Sequence, residues 1–259
     1  MRRSIIIIVL VIGLIGSVFF FLKGGRNCET FSVNLTSDIS RTIILVGIGD
    51  TDRSQLASYL LAVDSCEPAV VGIDAVFFDM RTHFEDSLLE NAFRKVRNDI
   101  IPFKFNRIDS PVLSLERFRN NVLDQGYVNT DIKDGVISHF TPLKELGGKV
   151  YESFALKIVK KYDPSFNGNI SVNESIPIKF TRTDKQFLLI DAREFWNVEK
   201  DSLKGKIVLL GFLGPGMGDK KFTPIRYAQK YLDTVPDTYG VVIIANEITT
   251  LLEERRKNK

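Results

Sequence analysis

Three short runs constrain this chain more than any other feature: TIILVGIGD from Thr42, AVVGID from Ala69 and KIVLLG from Lys206. Each is a continuous apolar stretch of strand length, without the alternation of a half-exposed strand, and each runs into glycine or aspartate. Such runs read as strands covered on both faces, as in a parallel sheet with helices on either side. Between the first two, Asp52 is a helix N-cap with Gln55 three residues on, and Leu56, Tyr59, Leu60 and Val63 share one helical stripe. The order is strand, helix, strand, and its crossover is expected to be right-handed.

The pattern continues. Leu88, Leu89, Ala92, Phe93 and Val96 predict a helix over residues 86 to 97, and IIPFKF from Ile100 predicts a third strand. The middle is less regular. Turn signals at Gly126 and at Asp134-Gly135 predict a hairpin or β excursion, after which Val150 to Tyr162 reads as helix. IPIKFTR from Ile176 and FLLIDA from Phe187 are further strands, and Val241, Ile244, Ala245, Ile248, Leu251 and Leu252 give a last helix an apolar face for the sheet. The fold class is α/β: a mostly parallel, doubly wound sheet with a β-rich excursion in its middle. One transmembrane helix precedes it.

That helix is Ser4 to Leu22, a stretch without a charge that spans about 28 Å as a helix, enough to cross a bilayer. Its apolar part exceeds a usual signal-peptide core, and no A-x-A site follows, so it reads as an uncleaved anchor. Arg2 and Arg3 before it favour an inside amino terminus. The chain divides into an anchor (1–25), a stalk (26–40) and an α/β domain (41–256). The domain then lies outside the cytoplasm, where Cys28 and Cys66 are expected to form a disulfide, with two buried thiols as the alternative. The net charge of +3 sits mainly at the chain ends, with no basic stripe between them, which excludes a nucleic-acid partner.

Acids follow the predicted strands: Asp50, Asp74 and Asp219, with Asp52 and Asp79 nearby. In parallel topology strand ends share one edge, where open α/β sheets hold ligands. Carboxylates there bind a hard cation, contact a polar ligand, or cap helices. The loop GFLGPGMGDKKFTPI is the centre of this expectation. Gly211, Gly214, Gly216 and Gly218 free its backbone to curve around the edge, Thr223-Pro224 closes it, and Asp219 faces the crevice. The ligand-binding candidates are therefore Asp50, Asp74, Gly216, Asp219 and Thr223. No catalytic residue and no cofactor is assigned, and whether a metal is held stays open. GDTD is similar to the signature of haloacid-dehalogenase-type phosphatases, but Arg53 stands where that motif has Thr or Val. His83 and His139 lack a G-x-S-x-G partner, so no hydrolytic triad forms. The single Trp196 reads as a core or hinge residue.

Taken in order, IILVGIGDTDRSQL, VVGIDAVFFD, the GYVN-x(4)-DG segment from Gly126 to Gly135, GKIVLLG with Asp219 and Thr223-Pro224, and GVVIIANEITTLL resemble the CHASE2 family. The resemblance covers most of residues 41 to 252. It implies a bacterial extracytoplasmic sensory domain at the inner membrane that binds a small ligand and signals through a partner; an envelope assembly or docking role for the same domain is the alternative. The family's usual PGV-x-IHA is replaced here by Tyr239-Gly240-Val241 and Ile244-Ala245, and its Trp-Pro segment is missing. Family receptors commonly continue into further membrane spans and an output module, whereas this sequence ends at EERRKNK. It is either a stand-alone anchored domain or was cut before a second crossing.

Overall fold

The three apolar runs lie side by side at the centre of one sheet, and every residue of each strand is buried. The structure, a computed structural model, describes residues 41–180, 187–215, 218–224 and 235–257, which fall in one compact unit, Leu35–Lys259. In chain order its elements are β1 (Ile43–Gly47), α1 (Arg53–Asp64), β2 (Val70–Ile73), α2 (His83–Lys95), β3 (Asp99–Phe105), β4 (Pro111–Val112), the single turn α3 (Glu116–Arg119), β5 (Asp124–Tyr127), β6 (Asp131–Lys133), β7 (Val136–Phe140), β8 (Leu143–Leu146), β9 (Lys149–Glu152), α4 (Phe154–Tyr162), β10 (Ile176–Pro177), β11 (Leu188–Asp191), β12 (Ile207–Gly211), β13 (Lys220–Lys221), β14 (Thr238–Tyr239) and α5 (Gly240–Lys257). Short 3-10 segments occupy Ala192–Asn197 and Lys200–Ser202. No helix among the described residues is long and apolar enough to cross a membrane. The expected span and Cys28 lie outside those residues.

The main sheet runs β11-β1-β12-β2-β3, with β5 added parallel and the short β4 antiparallel against β3. It is thus mixed, but parallel through its core. Successive residues of β1 serve opposite faces, as a pleated strand requires. Ile43 and Leu45 pack with α4 and α5, while Ile44 and Val46 pack with α1 and α2. Helices therefore cover both faces, which is why these strands carry no polar alternation.

The excursion is real and contains two hairpins. β6 and β7 turn at Asp134-Gly135, both with positive φ, as the Asp-Gly pair predicts. β8 and β9 turn at Gly147-Gly148, also both at positive φ. That second hairpin corrects the helix expected from Val150: Lys149–Glu152 is strand, and α4 begins only after Ser153, whose side chain accepts from the Leu156 amide at 3.2 Å. Gly126, expected at a turn, lies inside β5, where the Phe154 backbone leaves no space for a Cβ. IPIKFTR supplies only the two-residue β10 within the described residues. Trp196 is not a core residue: it is 68% exposed in the Ala192–Asn197 segment.

One buried ion cluster fixes the helices of one face. Arg53, at the start of α1, reaches Asp86 of α2 at 2.5 Å and Asp79 at 2.9 Å. Its guanidinium also lies over the rings of Phe77 and Phe118, 5.6 and 5.2 Å from their centroids. Asp86 is fully buried, and Arg117 approaches its other oxygen at 3.7 Å. Removing one partner of such a pair strands a charge in the core. Arg53→Leu is expected to cost about 3 kcal/mol or more in urea unfolding; a loss of a few tenths would contradict this role.

Candidate functional site

The carboxyl edge is organised by where the chain goes after each strand. From β1 and β2 it passes to α1 and α2 on one face, whereas from β12 it passes by way of β13 and β14 to α5 on the other. β12 lies between β1 and β2. Neighbouring strands that send their chains to opposite faces leave a crevice between them, so β12 is flanked by two.

The crevice beside β2 opens into a cavity of about 250 Å³, lined by Asp74, Asp219, Lys104, Lys221 and Thr130, with Val128, Ile137, Ile243 and Ile244 as apolar walls. Asp74 follows β2 directly, and its amide donates to the Leu210 carbonyl at 2.8 Å. Asp219 belongs to the loop after β12, and its Oδ2 accepts from the Gly240 amide at 3.2 Å. The same amide also donates to the Asp219 carbonyl at 3.2 Å, so Asp219 holds the start of α5 with both its backbone and its side chain, where the helix dipole also favours negative charge. The carboxylates meet over Gly240. A Cβ there would stand 3.0 Å from Asp219 Oδ2 and 3.3 Å from Asp74 Oδ2, so glycine is what lets both acids approach the helix start.

Burial raises the Asp74 pKa from 3.8 to about 7, and the Asp219 charge adds to the rise while Lys221 opposes it. Burial also raises Asp219. Glu247 lies on the same α5 face as Gly240, Ile243 and Ile244, and is 5% exposed. Burial, then the charges of Asp74 and Asp131, push its carboxyl well above the usual range. Glu247 was missed by sequence reading because it sits in an apolar helix among Asn246, Thr249 and Thr250. Those three are ordinary: each donates to a carbonyl one turn back at 2.8 Å. Glu247 has no such donor to offer when ionised, and that contrast is the available signal.

The remaining expected residues fall elsewhere. Asp50 is exposed and lines the second crevice, between β1 and β12, a cavity of about 340 Å³ shared with Thr51, Gln55, Tyr59, Asp191 and Arg193. The expected convergence of Asp50 with Asp74 and Asp219 in one crevice is therefore corrected: β12 separates them. Thr223 is buried and bonded to Thr238 at 2.8 Å, which joins the loop to β14 outside the cavity lining. Gly216 lies outside the described residues. Gly211, Gly214 and Gly218 are not among the positive-φ residues. Gly211 serves close packing instead, since a Cβ there would meet Val241 at 2.5 Å. Cys66 is buried with no disulfide among the described residues. Asp52 caps α1, its side chain accepting from the Gln55 amide at 2.8 Å while the Gln55 side-chain oxygen accepts from the Asp52 amide. No group of three or more His, Cys, Asp or Glu among the described residues is placed to hold a metal ion. A larger cavity of about 640 Å³ adjoins β5 and β9, but Lys157 there is already paired with Asp124 and Glu152 at 2.8 and 3.1 Å.

The geometry defines a parallel α/β domain with an acidic, half-apolar crevice at a switch point of its sheet. The chain belongs to the CHASE2 domain family, whose model matches residues 31–259, a family of extracytoplasmic sensory domains that are generally non-catalytic. No curated protein and no solved structure matches the chain.

The raised acids give a signed pH effect. Asp74 ionises near 3.8 when unfolded and near 7 when folded, so the unfolded chain holds fewer protons across that interval and stability falls as pH rises through it. Asp99, buried at the opposite end of the sheet and also raised to about 7, acts in the same direction. Asp74→Asn should therefore remove part of the stability loss between about pH 5 and about pH 8, on the order of 1 kcal/mol or more, and so flatten the fall in Tm. An unchanged Tm-against-pH profile in the variant would contradict the placement.

Proposed function

We propose that this CHASE2 domain is held outside the cytoplasm by the N-terminal anchor, binds a small polar ligand between β2 and β12, and performs no chemistry on it. The observation that carries the reading is Asp74: its carboxylate lines a cavity beside Asp219 without a hydrogen-bond or ion-pair partner among the described residues. A carboxylate withdrawn from water in this way needs a partner from outside, or a proton.

The non-catalytic reading draws on the same geometry. In GDTD, Asp52 is taken up as the cap of α1 and the adjacent Arg53 as a buried ion-pair partner, which leaves the exposed Asp50 without the second acid that such a motif uses. Neither histidine lines the crevice. Signalling then passes to a partner protein. A second reading, a docking module of the envelope, is favoured by one observation: Phe78 and Met80 in the segment before α2 and Phe84 in its first turn are 60%, 68% and 69% exposed, and exposed apolar groups mark interaction surfaces.

A thermal-shift screen of the full chain against metals and small metabolites tests the sensor reading. A stabilising compound is expected whose effect is lost in Asp219→Asn and kept in Asp50→Asn, with the unliganded Tm of Asp219→Asn within a few degrees of wild type. Stabilisation that survives Asp219→Asn would place the site elsewhere.

A further inference from the structure

We propose that the β2/β12 crevice takes a small zwitterion, its ammonium group entering between Asp74 and Asp219 and its anionic group staying at the mouth with Lys104 and Lys221. This rests on the ligand-binding reading above and names the ligand's class. The charges are layered. Both acids are partly buried, whereas both lysines are exposed, so negative charge lies deep and positive charge lies at the rim. Among the described residues neither lysine forms an ion pair with either acid, and the one hydrogen-bond donor to their carboxylates is the Gly240 amide, on Asp219. A ligand carrying both signs in that order completes both layers at once.

A buried, unpartnered acid behind the pair points the same way. Glu247 is 5% exposed and lacks a hydrogen-bond or ion-pair partner among the described residues. Glu247 shares its helix face with Gly240, Ile243 and Ile244, all three of which line the cavity, and helical side chains lean toward the helix amino terminus, the side on which those residues lie. Its coupling to Asp74 fits that direction. Acids stacked this way with no cationic side chain between them select a donor-rich cationic group. The alternatives fit less well. An anion at the α5 amino terminus would displace Asp219 from the Gly240 amide, and a bare metal ion would find no set of three ligands among the described residues.

Size and wall chemistry narrow the class further. A cavity of about 250 Å³ falls below the roughly 300–1,000 Å³ of sites for drug-sized molecules and suits a compound of amino-acid size. Val128, Ile137, Ile243 and Ile244 receive a short hydrocarbon part. An ammonium beside Asp74 favours its ionised form, so binding near neutral pH releases a proton from a site faced by Asp219, Lys221, Lys104, Glu247 and Asp131.

Calorimetry on the full chain tests this with four probes: an aliphatic amino acid, the alkylamine lacking its carboxylate, the carboxylic acid lacking its amine, and a neutral polyol. The amino acid should bind at least about tenfold more tightly than either half-molecule. Asp74→Asn and Asp219→Asn should each weaken it at least about tenfold, and Lys221→Gln should weaken the amino acid but not the amine. Heats in two buffers of different ionisation enthalpy should show proton release. Asp219-dependent binding of the amine, acid or polyol as tight as that of the amino acid would overturn the zwitterion and leave the crevice as a ligand site. Binding of every probe unaffected by Asp219→Asn, or no binding at all, would overturn the zwitterion, while a metabolite found by thermal shift to depend on Asp219 would keep the site itself.

Discussion

The position of β12 between β1 and β2 is the constraint on which the rest of the structure depends. Ile207–Gly211 is the last core strand in sequence, yet it fills the central slot, so β1 pairs with it rather than with β2. Its residues must then be apolar on both faces, which Ile207 and Leu209 satisfy toward α5 and Val208 and Leu210 toward α1 and α2. Because its chain leaves to the opposite face from both neighbours, it creates a crevice on each side. The site follows from that single insertion.

The two helical layers differ in how they are held. On the α4 and α5 side the packing is nearly all apolar, and the buried Asn246, Thr249 and Thr250 of α5 each donate to a carbonyl one turn back, whereas the buried Glu247 has no such bond among the described residues. On the α1 and α2 side a buried arginine bridges two helices beneath three edge-to-face phenylalanine rings, Phe77, Phe93 and Phe118. The first arrangement leaves Asp74 and Asp219 in a cavity whose lysines, Lys104 and Lys221, stay exposed and form no ion pair with them among the described residues. The second neutralises its acids internally, which is why Asp79 and Asp86 carry structure while Asp74, a few residues earlier, has no such partner among the described residues.

Much of this was legible from the residues. Continuous apolar runs identified the parallel strands, Asp52 with Gln55 identified the start of α1, and Asp134-Gly135 identified the β6–β7 turn, because each signal is local. Strand order was not legible, since pairing partners lie far apart in sequence, and so Asp50 was grouped with acids from which β12 separates it. The helical pattern from Val150 misled because Val150 and Tyr151 suit a hairpin strand equally well until the Gly147-Gly148 turn is taken into account. Arg53 was noted only as the residue that departs from a phosphatase-like motif, and only tertiary contact reveals its buried partner. Glu247 was hidden for the same reason.

The most direct test of this arrangement is a site-resolved carboxyl NMR titration of Asp74 in the wild type, in Asp219→Asn and in Asp50→Asn. Since the Asp219 charge raises the Asp74 pKa, neutralising Asp219 should lower it measurably, while neutralising Asp50 across β12 should leave it where it was. An Asp74 titration unmoved by Asp219→Asn, or moved equally by Asp50→Asn, would contradict the two-crevice account.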